Sequence, residues 1–151
     1  MVSNRLDSSE LRLLQVNWQD DREAIKKVRE QVFIHEMGIS PELEWEAQDR
    51  SCIHVLALYK NDPIGTGRLL DSGFIGRMAV NTGFRRQYVG SKILTLLIQI
   101  AMRRGHLNIQ LHAQTQAIGF YSRFGFISIG DVFMEAGMTH QKMILKLPQG
   151  N

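Results

Sequence analysis

"RMAVNTGFRRQYVGSKILTLL", residues 77–97, passes from a short apolar stretch through a polar turn with two adjacent arginines into a run that is apolar at helical spacing. Ile93, Leu94 and Leu97, followed by Ile100 and Ala101, share one helical face. Arg103, Arg104 and Gly105 then supply the cations and the glycine expected at a helix end. "FIGRMAV" just before reads as a strand, so the whole is a strand–loop–helix junction. The start of a helix leaves four amides without intrahelical acceptors and carries roughly half a positive charge. If residues 87–91 form the turn into the helix, the amides of Gln87, Tyr88, Val89, Gly90 and Ser91 converge beside the guanidinium groups of Arg85 and Arg86. A pyrophosphate suits that chemistry. A solvated basic turn suits the same residues, and the local stretch does not choose between them.

Working outward, "LRLLQV" (11–16) reads as a first strand, and "DDREAIKKVREQVF" places Ile25, Val28 and Val32 on one helical face, with Asp20 and Glu23 as an expected capping box. "CIHVLALYK" and "IGTGRLL" are β-type runs separated by "NDP", an expected hairpin. "LNIQLHA" alternates, with Leu107, Ile109 and Leu111 on one side and Asn108, Gln110 and His112 on the other. A short helix is expected around 117–124, stopped by Gly125, then the strands "FISI" and "KMILKL". Hairpins, meander-like strands and interspersed helices point to an α+β fold around a mixed sheet.

The chain has 151 residues, 44% hydrophobic and 22% charged, which is ordinary for one globular domain spanning 1–151. No run approaches the roughly 20 apolar residues of a membrane span, and no signal peptide is visible, so a cytoplasmic protein with no membrane partner is expected. A single cysteine, Cys52, excludes an internal disulfide and any multi-cysteine metal site; it reads as buried filler more readily than as a nucleophile. The net charge of +3 comes from scattered basic residues, without the stripe that would follow a nucleic-acid backbone, so no nucleic-acid partner is expected.

Several chemistries fail at the residue level. Gly90 is followed by Ser91 and Lys92 in the wrong order for a Walker loop. "GTGRLL" has Gly65 and Gly67 but Leu70 where a dinucleotide fingerprint needs its third glycine. "HEMGI" (35–39) starts like a zinc helix but ends in Ile39 rather than histidine, so no metal is expected. There is no G-x-S-x-G elbow. "PELEWEAQDR" gathers Glu42, Glu44, Glu46 and Asp49 around Trp45, either a lure for a cationic acceptor or a solvated acidic loop.

The opening stretch resembles the acetyl-CoA motif of the GNAT superfamily of N-acetyltransferases, Arg/Gln-x-x-Gly-x-Gly/Ala. "QTQAIGFYSRFGF" (114–126) resembles a later motif of the same family, with Gln114 in place of Asn and with Ala117, Tyr121, Gly125 and Phe126 matching. "VFIHEMGI", "HVLALY", "IGTGRLL", "LHAQ" and "FMEAGMTHQKMIL" extend the likeness to the small ElaA/YjcF-like branch. The resemblance implies a mostly antiparallel central sheet flanked by helices, and acetyl transfer from acetyl-CoA to a primary amine by direct attack in a ternary complex. A non-catalytic module that binds or senses CoA is the alternative.

It also implies roles. The main chain of Met78, Ala79 and Val80 would hold the pantetheine arm and stabilise the oxyanion, splayed from the strand ending at His112 and Ala113. Arg85, Arg86, Gln87, Tyr88, Val89, Gly90 and Ser91 would hold the pyrophosphate, and Gln114, Ala117 and Tyr121 would complete the cofactor site. Tyr88 replaces the first motif glycine, so that position is expected not to need a positive φ. Tyr121 is the implied proton donor to the departing thiolate, its cost eased by a helix N-terminus, or else a packing residue. His112 is the expected general base on grounds of its polar face and ordinary pKa of ~6.5, with a structural histidine as the alternative. Glu135 and His140, in an expected substrate-side loop, and Arg77 would bind substrate. The acceptor, a small-molecule or protein amine, is left open, and a homodimer is implied only by the habit of such enzymes.

Overall fold

The chain opens with a 3-10 turn, Ser8–Glu10, whose Asp7 caps it, and enters β1 (Leu11–Val16). This computed structural model describes residues 5–39 and 47–149. Helix α1 (Trp18–Arg29) follows. Its cap is Asn17, whose side chain accepts from the Asp20 amide at 2.9 Å while its own Nδ2 donates to Asp20 Oδ2 at 3.0 Å. The expected box at Asp20 and Glu23 is therefore replaced by one a turn earlier, because Asn17 holds the extended φ of −121° that an N-cap requires. α1 runs directly into a π-helical stretch, Glu30–Glu36, in which the Met37 amide reaches back five residues to Val32 O at 3.0 Å. Such stretches re-aim side chains and favour functional sites.

After a 3-10 turn at Ala47–Arg50 come β2 (Ile53–Tyr59), β3 (Asp62–Leu69) and β4 (Ile75–Val80), with spatial order β1-β2-β3-β4, all antiparallel. The β2–β3 turn is Lys60–Asn61, with φ of 49° and 69°. That primed two-residue geometry matches strand twist, so Asp62 and Pro63 belong to the strand rather than to the expected "NDP" loop. Helix α2 (Val89–Arg103) follows, then β5 (Asn108–Gln114), a short helix α3 (Ile118–Ser122), β6 (Ile127–Glu135) and β7 (Met138–Lys146). These last strands form a second antiparallel sheet in the order β5-β7-β6. "FMEAGMTH", expected as a loop, is a hairpin closed by Ala136 and Gly137 at φ of 50° and 76°. Antiparallel sheets flanked by helices make the fold α+β, as its sequence pattern indicates.

β2 explains the layering. Val55 and Ala57 turn toward α2, Leu56 turns toward α1, and all are buried. On the α2 side Ile93, Leu94, Leu97 and Ile100 are buried on the sheet, each worth ~1.5–3 kcal/mol of burial. Gly65 and Gly67, which a nucleotide fingerprint failed to explain, have a packing role. A Cβ on Gly67 would stand 3.0 Å from both Ile93 Cγ2 and Leu97 Cδ1. Their bareness lets α2 approach the sheet.

Candidate active site

The two sheets meet at one point. β4 and β5 run parallel, and Phe74 bridges to Gln110, whose amide donates to Gly73 O at 3.0 Å. Beyond that bridge the outer edge of β4 has no ladder partner among the described residues. The cause lies within β4. Thr66 faces Ala79 and Arg68 faces Gly76, so Gly67 alone opposes both Arg77 and Met78. This is a β-bulge, with Arg77 at φ 50°, and bulges bend the strand that carries them. The strands part into a cleft of about 500 Å³.

Most of the side chains expected at the site converge there. Met78 and Arg77 enter from β4, His112 and Gln114 from β5, and Ala117 and Tyr121 from the segment after β5. Glu135 and His140 enter from the β6–β7 hairpin. Ala79 does not; its side chain is buried against Val28 and Val32 below α1, so any contact it makes in the cleft is through the main chain.

The phosphate-loop residues are divided. Arg86 and Tyr88 both adopt left-handed φ, 62° and 68°, and Tyr88 caps α2 directly. The expectation that position 88 needs no positive φ is thus corrected: it has one, and tyrosine holds it with its side chain 77% exposed, at a cost of ~1–2 kcal/mol. Left-handed turns followed by a helix N-terminus turn successive amides into an anion-binding concavity, which suits a pyrophosphate held by main chain. Gly90 fits as well, since a Cβ there would make only ordinary contacts, 3.7 Å to Phe120 Cζ and 3.9 Å to Val80 Cγ2. Arg86 is exposed and adds charge. Arg85 is held elsewhere: its Nη atoms donate to both Glu36 carboxylate oxygens at 2.6 and 2.5 Å, and its Nε donates to Val80 O at 2.8 Å. The Arg85 hydrogen bond draws Glu36 below the usual carboxylate range. Gln87 accepts from the Leu6 amide through its side-chain oxygen. Arg85 and Gln87 thus tie the loop to the π-helical stretch and the N-terminal segment.

At the open end of the cleft, His112 and Glu135 lie 23 residues apart in sequence but 2.8 Å apart in space, Nδ1 to Oε2. A carboxylate only accepts, so Nδ1 is the donor, and in the neutral ring Nε2 is then the acceptor. The ring stands edge-on to Phe74 and Phe133, with centroids at 4.8 and 4.9 Å. His140 is different: its Nδ1 donates to Met138 O at 2.9 Å and its ring stacks on Phe133, so it braces the hairpin. Tyr121 sits in α3, edge-on to Phe120 and Phe126, with its hydroxyl 4.0 Å from Met78 Sδ. Burial pushes its pKa up to about 12. Tyr121 lies near the end of a five-residue helix, so the expected easing by a helix N-terminus does not apply, and burial acts in the opposite direction. The phenol therefore stays neutral.

A second polar cluster was illegible in the sequence. Asp49, expected in an acidic stretch that is either a lure or a solvated loop, is fully buried between Arg29 (Nη1–Oδ1 2.9 Å, Nη2–Oδ2 3.2 Å) and Arg68 (Nη1–Oδ1 2.6 Å). Burial by itself would raise its pKa, but hydrogen bonding and charge from Arg29 and then Arg68 hold it below the usual range. Beside it, His54 Nε2 donates to Asp49 O at 2.8 Å, and burial depresses its pKa. Cys52 is pushed up to about 11 by burial, so it is a thiol and no nucleophile. Asp49, Cys52 and His54 cluster like metal ligands, but two guanidinium groups on the carboxylate oppose a cation. Residues 42–46 of the acidic stretch lie outside the described residues.

Comparison with known proteins agrees with this geometry. The family model described as an acetyltransferase (GNAT) domain matches residues 20–147. The protein YyaT of Bacillus subtilis (strain 168) is 35% identical over 130 residues, 82% of this chain and 87% of that one. The uncharacterized N-acetyltransferase YjcF of the same organism is 31% identical over 121 residues, 78% of this chain and 86% of its own. The crystal structure of Escherichia coli ElaA superposes with a TM-score of 0.80 over 89% of this chain and 98% of that one, at 22% identity, and so shares the fold. Among the described residues no helix is long and apolar enough to cross a membrane. A bulged β4 splayed from β5, a left-handed turn into α2, and a family match spanning both motifs lead to one conclusion: the chain belongs to the GNAT family and is an acetyltransferase.

Proposed function

We propose that the protein moves an acetyl group from acetyl-CoA to a primary amine by direct attack, with both substrates bound in the β4–β5 cleft. The observation that carries this reading is the placing of His112–Glu135 and Tyr121 on that one cleft, a base and an acid with opposite proton inventories. Acetyl-CoA, when bound, supplies the thioester. The left-handed turn at Arg86 and Tyr88, with the first amides of α2, would hold its pyrophosphate. The edge of β4 at Met78–Val80, which has no ladder partner among the described residues although its Val80 carbonyl accepts from Arg85, would hydrogen-bond the pantetheine arm and polarise the thioester carbonyl. Those contacts are main chain and are set by the bulge at Arg77 rather than by side-chain identity.

His112 Nε2 takes a proton from the incoming amine, and Glu135 on Nδ1 fixes the tautomer and steadies the imidazolium that forms. Tyr121 gives its proton to the leaving sulfur. With a phenol pKa of about 12 and an ordinary thiol near ~8.5, complete transfer before C–S cleavage would be uphill by ~5 kcal/mol. Donation therefore accompanies bond breaking, and the gain lies at the lower end of the ~10²–10⁴ range for acid–base groups. The test is thiol release from acetyl-CoA in the presence of an amine. Tyr121→Phe is expected to lower kcat about 100-fold with little change in KM; equal turnover at every pH would remove Tyr121 from the mechanism.

A further inference from the structure

Building on that acetyl-transfer reading, we propose that the acceptor is a primary amine on a compact apolar body, an arylalkyl or branched alkyl amine, and not a polycation or a polyhydroxylated amino sugar. Apolar side chains line much of the cleft that holds His112. The π-helical stretch and the residues just after it contribute Phe33, Met37 and Ile39, the residue before β4 is Phe74, and the first residue of β7 is Met138. The irregular winding after α1 and the two-residue turn at Ala136 and Gly137 are what bring these side chains to the cleft. The base itself is fenced by rings on both sides, Phe74 and Phe133.

The polar side chains on that wall, among the described residues, are Arg77, His112, Gln114, Tyr121, Glu135 and His140, and each already has a partner within the protein. The charged side chains on the cleft wall, among the described residues, are Arg77 and Glu135, one of each sign, and Glu135 accepts from His112. His140 Nδ1 donates to Met138 O. A polyamine or aminoglycoside would bring several further ammonium or hydroxyl groups against Phe33, Met37 and Ile39, where their lost water bonds go unreplaced. An aryl or branched alkyl group would instead exchange water for carbon contacts. It also leaves one nitrogen to be deprotonated, matched to one base.

The reaction balances with these groups alone. One N–C bond forms and one C–S bond breaks. The amine's proton passes to His112 Nε2, the sulfur receives the Tyr121 proton, and solvent returns the imidazolium proton to the phenolate. An N-acetylated amine and free CoA thiol result.

The test compares phenethylamine, isopentylamine, spermidine and kanamycin as acceptors for the full chain at one acetyl-CoA concentration, with acetyl-CoA binding measured separately. The expected result is kcat/KM for the two apolar amines at least about tenfold above that for spermidine and kanamycin. Phe74→Ala is expected to erase most of that margin through KM for phenethylamine while leaving the acetyl-CoA Kd in place. Met138→Ala, at the half-buried first position of β7, serves as a second variant should Phe74→Ala fold poorly. Preference for spermidine or kanamycin, or acetyl-CoA binding with no turnover of the apolar amines, overturns the proposal and leaves the transferase reading standing. Failure of acetyl-CoA to bind defeats the transferase reading itself, so the two failures are distinct.

Discussion

Replacing Asp49 by Asn keeps the shape of the buried cluster and removes its negative charge. In the native protein one carboxylate, fully buried, meets Arg29 at 2.9 and 3.2 Å and Arg68 at 2.6 Å, and these contacts link α1, the 47–50 turn and β3. Removing one partner of a buried ion pair costs ~3–5 kcal/mol, because the charge that stays behind keeps its desolvation penalty. Globular chains unfold with about 2.1 cal/mol/K per residue, which for 151 residues is roughly 0.3 kcal/mol/K, so the expected fall in Tm is about 10–15 °C. Urea titration read by tryptophan fluorescence checks the free energy, since Trp18 packs on His54 and lies 5.9 Å from the Arg29 guanidinium. pH supplies a second readout. The folded-state pKa of Asp49 lies below its unfolded value, so its contribution is present above pH ~4 and is lost as pH falls through the folded pKa. Asp49→Asn is expected to lack that acid limb. Both proteins should keep an earlier decline starting near pH ~6.5 from His54, whose pKa is also depressed on folding. A loss below about 1 kcal/mol, with the acid limb intact, would refute the reasoning.

Three further outcomes follow from the geometry. His112→Gln should cut kcat by about 100-fold or more, and Glu135→Gln by a smaller factor, in steady-state assays of thiol release. Tyr88→Gly should raise stability by ~1 kcal/mol in chemical denaturation by relieving the φ of 68°, or at worst leave it level after the greater freedom of the unfolded chain is counted. Gly65→Ala should cost ~1–3 kcal/mol, because its Cβ would stand 2.8 Å from Ile93 Cδ1 and 3.3 Å from Ala57 Cβ, whereas Gly90→Ala should be tolerated; a pair of thermal melts separates the two.

Features governed by neighbours in sequence were legible. The α2 face of Ile93, Leu94 and Leu97 is buried, Gly105 ends the helix at φ 83°, and Ile109 and Leu111 point inward while His112 points out. Features made by tertiary context were not. Ala136–Gly137 lacks the Asn-Gly signature of a primed turn, so a hairpin passed for a loop. Nothing local marks Arg77 as a bulge residue, although the cleft depends on it. Asp49 has the look of a surface acid because its partners lie 20 and 19 residues away. His112 and Glu135 were each legible as candidates, but their pairing is a product of sheet register and the irregularity between Ile129 and Phe133 in β6. Arg85 matches the motif's first position, yet its guanidinium holds Glu36, a contact 49 residues distant. The motif points to the loop, but the tertiary fold decides which of its side chains are already engaged within the protein.

The most direct test of the central claim is calorimetric titration of the protein with acetyl-CoA beside ATP. Both bring an adenine nucleotide with phosphates, but only acetyl-CoA brings the pantetheine arm that the splayed edge of β4 would hold. Micromolar binding of acetyl-CoA with ATP much weaker is the predicted result. No binding of acetyl-CoA, or binding of ATP equally tight, would contradict it and show that the gap between β4 and β5 does not receive the cofactor.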